Sequence, residues 1–279
     1  MNKIISKHFY SENVAEIVVE APLIARSRKA GHFVIVRVDK NGERMPLTIS
    51  DADVENGTIT LVVQRIGVSS SKLCALDAGD VIADLVGPLG KATAIRNYGT
   101  VVCACGGVGA APMLPIAEAL KAAGNRVISV LAGRSKDLII LEEEVRAVSD
   151  EVIIMTDDGS YGEKGLVTQK LQELIDAGNQ YDAVIAIGPI PMMKFVSLTT
   201  KPAGIKTIVS LNPIMIDGTG MCGGCRVTVS GKTKFACVDG PDFDGHEVDF
   251  DELMRRNTSH KAQETHDREH CRLRGAHNG

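Results

Sequence analysis

Between residues 100 and 210 the chain alternates short apolar runs with stretches of helical periodicity, and that alternation leaves few folds open. Residues 100–105, 126–132, 151–155, 182–187 and 205–210 read as strands. Residues 112–123, 141–148, 166–177 and 191–199 read as helices, and a glycine-rich turn fills 106–111. Strands separated by helices pair in parallel and bury both sheet faces under those helices. The expected unit is a parallel α/β domain over residues 98–211.

Residues 1–97 carry a different pattern. Segments such as 14–20, 32–38 and 58–64 are rich in Val, Ile and Thr, with Gly- and Asp-containing turns between them. Short strands with frequent turns predict an antiparallel β-barrel. From 212 to about 250 regular patterning breaks down and Gly, Cys and Asp become dense. That is expected where a ligand organises the chain, and it sets a small third unit at 212–257. Residues 258–279 form a polar, His/Arg-rich tail, read as disordered or as ordered only against a partner. The fold class is α/β plus β.

The formal net charge of −4 carries no basic excess, so nucleic acid is not an expected partner. No apolar run reaches the roughly 18–20 residues of a membrane span. The first residues have no signal-peptide pattern, so a cytoplasmic protein is expected. Seven cysteines do not make a complete disulfide framework. In a reducing compartment a tight cysteine cluster reads as a metal site.

That cluster is Asp217-Gly-Thr-Gly-Met-Cys222-Gly-Gly-Cys225 with Cys237 beyond it, a D-x4-C-x2-C-x11-C pattern. Plant-type [2Fe–2S] sites use C-x4-C-x2-C and a distant fourth ligand, so Asp217 occupies the first slot. The glycines let backbone wrap closely around a cluster and turn N–H groups toward its sulfurs. A hairpin over 226–229 and 234–236 would return Cys237 to the others. Zinc held by three Cys and an Asp or His is the competing reading, and Cys271 competes with Asp217 as fourth ligand.

The order of barrel, α/β domain and cysteine segment resembles the ferredoxin–NADP reductase superfamily, over about residues 1–250. Within it the chain is similar to the electron-transfer subunits of dihydroorotate dehydrogenase B. It is more narrowly similar to the small subunits of NADH-dependent reduced ferredoxin:NADP oxidoreductases and to sulfide dehydrogenase beta subunits. The narrower likeness rests on Asp217, since the dihydroorotate dehydrogenase group has Cys in that slot. The resemblance implies FAD on the barrel, NAD(H) or alternatively NADP(H) on the α/β domain, and a [2Fe–2S] cluster on Asp217, Cys222, Cys225 and Cys237.

It also implies site residues. Arg44 would pair with the FAD pyrophosphate, and Pro46, Leu47 and Thr48 would line the isoalloxazine, in a motif ending at Ser50 with Met45 as an extra residue. Val63, Gln64, Arg65, Gly67, Val68, Ser69 and Ser70 match a second flavin segment, whose N–H groups would contact the phosphates. Gly87 and Gly90 match a turn near the flavin. His32, in a Gln slot, reads as structural. Gly106, Gly107, Val108, Gly109 and Pro112 match the pyrophosphate turn at a helix start. Gly133, Arg134 and Ser135 follow the next strand, where the family places groups near the adenosine ribose, and Asp157 and Asp158 follow the third. Gly188, Pro189 and Met192 match a nicotinamide element that has Ile187 where the family has Cys, and Cys105 reads as a buried strand residue. Arg134, Ser135 and Lys136 could supply a 2′-phosphate site but Asp137 and Asp157 would oppose it, so the residues leave the choice open; the resemblance to the NADH-binding small subunits implies NAD(H).

The implied chemistry is a relay from NADH through FAD to the cluster and on to a larger flavin/[4Fe–4S] subunit, with ferredoxin served indirectly. No acid–base pair is required. The alternatives are a dihydroorotate dehydrogenase subunit, a stand-alone NAD(P)H:ferredoxin or flavin reductase, and a zinc-binding module without enzymatic activity.

Overall fold

The structure, a computed structural model, describes residues 2–266. Its first lobe contains β1 (Ile4–Ser11), β2 (Val14–Glu20), α1 (Pro22–Ser27), β3 (Phe33–Arg37), β4 (Arg44–Asp53), β5 (Thr58–Gln64), α2 (Val68–Ala75) and β6 (Asp84–Leu89). The strands form one sheet in the order β1-β2-β5-β4-β3-β6, with antiparallel pairing throughout. Alternate residues of β2, β4 and β5 bury Ile17, Val19, Ile49, Ile59 and Leu61 on one face, the period-2 pattern of a half-buried sheet. Just ahead of β6, Val81 bridges Lys3 beside β1. The observed unit is therefore a six-stranded antiparallel sheet, in line with the expected antiparallel β-barrel, with one bridge, Lys3–Val81, between the segments that flank its edge strands.

The second lobe contains β7 (Thr100–Gly106), α3 (Ala110–Ala122), β8 (Arg126–Gly133), α4 (Glu142–Val148), β9 (Glu151–Thr156), β10 (Glu163–Lys164), α5 (Val167–Asp176), β11 (Ala183–Ile187), α6 (Ile190–Thr200) and β12 (Lys206–Ser210). Both faces of its sheet are covered. Val101, Cys103 and Cys105 of β7 pack with Met113 and Ile116 of α3 and Val145 of α4. Val102 and Ala104 face the other way, toward Leu171 of α5 and Met193 and Val196 of α6. A strand buried on both faces reads as a continuous apolar run, and that is why 100–105 is legible. The sheet order is β10-β9-β8-β7-β11-β12, followed at the edge by the short strand β15 (Asp242–Asp244). From β7 the chain winds outward one way and then restarts at β11 on the other side, so a topological switch point lies between these two strands.

The third segment is more regular than its composition suggests. It holds β13 (Arg226–Val229), β14 (Lys232–Phe235), α7 (Ala236–Asp239), β15 (Asp242–Asp244) and α8 (Phe250–Asn257). β13 and β14 form a hairpin around Ser230 and Gly231, both at positive φ, as a tight two-residue turn of twisted strands demands. The second hairpin strand thus ends at Phe235, earlier than expected, and Cys237 sits on a helical turn. β15 pairs antiparallel with β12 and extends the second sheet, so that sheet is mixed. α8 buries Phe250 and Leu253 in the core that α5 and α6 share. Met215, Cys225, Ala236 and Cys237 pack on Phe33 and Ile35 of the first sheet. The segment is a wedge joined to both lobes. The tail expectation, Cys271 included, falls mostly outside the described residues.

Candidate functional site

The cysteine segment brings two of its expected ligands together. The Sγ atoms of Cys225 and Cys237 lie 3.1 Å apart, both buried. The Cys237 N–H donates to the Cys225 sulfur at 3.5 Å, and the Gly224 N–H to the Cys222 sulfur at 3.4 Å. Burial, then the Cys225 thiol, push Cys237 up to about 12. Cys222 is exposed, and the Gly224 N–H, then the backbone at Asp217, hold its thiol below the usual value. Asp217 Oδ2 accepts from Thr219 Oγ1, from Thr219 N at 2.9 Å and from Met221 N at 3.2 Å. These contacts, the Thr219 hydroxyl first, hold its carboxyl below the usual range. Among the described residues no three His, Cys, Asp or Glu side chains converge on one metal-sized point. The pair Cys225/Cys237 is assembled, and Cys222 and Asp217 stand on the adjoining loop. Thiol sulfurs that accept backbone N–H groups fit an iron–sulfur ligand set.

The expected flavin residues divide by sheet face. Across the β3–β4 ladder Thr48 lies opposite Phe33, Pro46 opposite Ile35 and Arg44 opposite Arg37. Directly opposed residues share a face, so Arg44, Pro46 and Thr48 stand with Ile35 on the side where the cysteine segment packs. Met45 and Leu47 turn to the core of the first lobe. Ser50 is buried and donates to the Thr60 carbonyl at 3.0 Å, and Val63 is a core residue. Both can offer only backbone to a ligand. Arg44 Nε donates to the Ile216 carbonyl at 2.8 Å and Nη2 to the Asp217 carbonyl at 3.3 Å. At the start of α2, the N–H groups of Ile66 and Gly67 each donate to Ser70 Oγ at 3.0 Å. Ser69 donates to Glu43 at 2.8 Å. Gln64 and Val68 are half-buried and Arg65 is exposed. A Cβ on Gly87 would meet Val34 at 2.7 Å, and one on Gly90 would meet Phe33 at 2.9 Å. His32 Nδ1 accepts from Lys29 N at 3.1 Å, as a structural histidine does.

At the carboxyl ends of β7 and β11 the expected nicotinamide elements meet. A Cβ on Gly106 would lie 2.8 Å from Met192 Sδ, and one on Gly188 would lie 3.1 Å from Gly106 N. The two glycine stretches and Met192 therefore close on one another at the switch point, where open α/β sheets bind nucleotides. Gly107 has positive φ and open space around its Cα, Val108 is half-buried, and Pro112 lies in the first turn of α3. Pro189 precedes α6. The loops after β8 and β9 are stitched together: Asp157 N donates to Gly133 O at 3.0 Å, Asp158 N to Arg134 O at 3.2 Å, and Lys136 N to Ser160 Oγ at 2.9 Å. Ser135 donates to the Asp137 carboxylate. Lys136 Nζ lies 5.4 Å from the centre of the Tyr161 ring. Cys105 is buried, and burial pushes its thiol up to about 12. Such a thiol is inert, in line with its reading as a strand residue.

One polar group between the lobes has no local sequence signal. Thr93 Oγ1 donates to Asp242 Oδ2 at 2.6 Å. The other oxygen, Oδ1, is buried without a hydrogen-bond partner among the described residues. Burial raises this carboxyl, while Thr93 and Ser210 lower it by less. Long separation along the chain hides such a pair from motif reading.

Known proteins resemble the chain over nearly all of its length. Residues 212–249 match the iron–sulfur cluster binding domain of dihydroorotate dehydrogenase B, and residues 104–198 match the oxidoreductase NAD-binding domain. A protein of Thermotoga maritima named dihydroorotate dehydrogenase B (NAD(+)), electron transfer subunit homolog, is 46% identical, over 95% of this chain and 93% of its own. The Clostridium perfringens dihydroorotate dehydrogenase B (NAD(+)), electron transfer subunit, is 32% identical over 79% of this chain and 87% of its own. A solved structure described as an NADH-dependent reduced ferredoxin–NADP oxidoreductase, and as an insight into flavin-based electron bifurcation, matches with a TM-score of 0.92. It is 44% identical and covers 97% of both chains.

Proposed function

Because the chain belongs to the family of dihydroorotate dehydrogenase B electron-transfer subunits, we propose that it carries electrons between NAD(H) and a larger partner subunit of the ferredoxin:NADP transhydrogenase type. It is an oxidoreductase subunit, and its cofactors are FAD, a [2Fe–2S] cluster and NAD. The observation that carries the reading is the buried Cys225/Cys237 pair, held against the same sheet face as Pro46 and Thr48. Bound flavin supplies the conversion between two-electron and one-electron chemistry.

The chain's own residues hold and separate these groups. Asp217, Cys222, Cys225 and Cys237 would hold the cluster. Pro46 and Thr48 would offer a flat apolar surface with one hydroxyl to the flavin ring, and the N–H groups from Gly67 to Ser70 would take its phosphates. Gly106 to Gly109, at the start of α3, would take the dinucleotide pyrophosphate on backbone N–H groups and the helix dipole. Met192 closes against both glycine strands and would keep water from the nicotinamide. NAD(H) is preferred to NADP(H) because Asp137, beside Ser135, repels a 2′-phosphate.

The transhydrogenase reading is supported by Asp217 in the first ligand slot and by the 44% identical oxidoreductase structure. A dihydroorotate dehydrogenase subunit is the second reading, supported by the match over 212–249 and by the named relatives. Cofactor content tests what the two share. The purified protein is expected to show flavin bands over a broad [2Fe–2S] envelope, with about two Fe per chain. Zinc without flavin would end both readings. Co-purification separates them: an excess of dihydroorotate oxidation over ferredoxin-linked NADP reduction in the captured complex would favour the second.

A further inference from the structure

The resemblance gives Arg44 to the flavin pyrophosphate, yet two of its N–H groups are engaged elsewhere. Nε and Nη2 donate to consecutive carbonyls, Ile216 and Asp217. A planar guanidinium fork presents two donors in fixed geometry to such a pair of carbonyls, whereas an ammonium offers rotatable donors from a single point of charge. A second observation lies one residue further on. A Cβ on Gly218, which has φ of +83°, would lie 2.7 Å from Ile35 Cγ1 and 2.8 Å from Leu89 Cδ1. The loop is thus pressed onto the sheet with no room for a side chain. Register places Ile35 and Arg44 on that same face. The loop from 211 to 225 contains no helix or strand, so its carbonyls have no ladder to join.

We propose that Arg44 is a positioning residue that clamps the Asp217–Cys222 loop onto the flavin-bearing sheet and supplies the cluster with a fixed neighbouring positive charge. The clamp rests on the [2Fe–2S] reading for its redox consequence and on geometry alone for its mechanical one. A cation held near the cluster favours the reduced, more negative state. Arg44 and Ile216 are 172 positions apart in sequence, so the clamp couples the first lobe to the cysteine segment rather than two turns of one element.

The test uses the full-length holoprotein with Arg44→Met and Arg44→Lys, in saturating FAD. Arg44→Met is expected to retain flavin and iron. Its ratio of reduced to oxidised cluster at the wild-type midpoint should fall about tenfold, or about 59 mV for a one-electron couple. Arg44→Lys should recover part of that shift. Backbone amides at 216–221 should exchange faster in both variants, with those of β5 unchanged. Unchanged exchange and potential would overturn the clamp. So would changes seen at limiting FAD that vanish at saturation, because Arg44 would then act through the flavin phosphates. If Arg44→Met does not fold, Gly218→Ala lifts the loop from Ile35 and should produce the same local exchange; no change there would also overturn the clamp. Wild-type protein devoid of iron would defeat the cluster reading, while the exchange measurements would still decide the mechanical one.

Discussion

Glycines at the nucleotide edge separate two kinds of constraint. A Cβ on Gly109 would fall 2.3 Å from the Ile187 carbonyl oxygen, a backbone atom that cannot swing aside. Gly67 has ordinary φ and nothing within 4 Å. Gly109→Ala is expected to cost about 1–3 kcal/mol by overpacking, whereas Gly67→Ala meets no clash and loses only the N-cap preference of Gly over Ala at the start of α2, on the order of 0.5–1 kcal/mol. Urea titrations of the two variants check the contrast, and equal midpoints would refute it. The proposed cysteine ligands make the second prediction at this scale. Cys237→Ser should remove the iron–sulfur absorbance and leave flavin in place, as read by spectra and iron analysis. The proposed ligand pattern could be read from the sequence because its members are near neighbours at fixed spacings, and the structure brings two of them, Cys225 and Cys237, together. The contact of Arg44 with Ile216 could not, because only the β3–β4 register and the fold of the third segment bring them together.

Elements were legible where burial was two-sided or periodic. β7, β8 and β11 announce themselves as apolar runs, and α3 and α5 by their spacing. β15 is three residues long and carries two aspartates, and it pairs only because β12 offers an edge. α8 follows a segment dense in Gly and Asp, which masks its start. Its N-cap is nonetheless well formed: Asp249 accepts from Glu252 N at 2.8 Å, with acidic residues in the first turn and Arg255 and Arg256 in the last, as the helix dipole favours. Asp249→Ala is expected to cost about 1 kcal/mol, seen as a lowered denaturation midpoint. An unchanged midpoint would mean that burial of Phe250 and Leu253 alone fixes the helix.

On the scale of the molecule, Asp242 ties the connection after β6 to the last strand of the second sheet through Thr93. Burial raises its carboxyl above the unfolded value of 3.8. The sign follows from linkage: its contribution to stability is fully present below that value and is lost as pH rises through the raised folded value. Asp242→Asn should therefore flatten the decline in stability on going from pH 4 upward, measured by denaturant midpoints across that range. A variant with the wild-type slope would refute the assignment.

The pairing of β15 with β12 also has a consequence for how the chain can be divided. β12 is an interior strand only while the cysteine segment is present. A chain ending at Leu211 would present β12 as an open sheet edge and strip the cover that Val227, Val229, Phe250 and Leu253 give to Val209, on the face it shares with Val184 and Ala186. Such edges recruit other chains into intermolecular sheets. The shortened protein is expected to elute as high-molecular-weight aggregate in size-exclusion chromatography, while one ending at Asn257 does not. The redox segment is in that sense also the chain's protection against self-association.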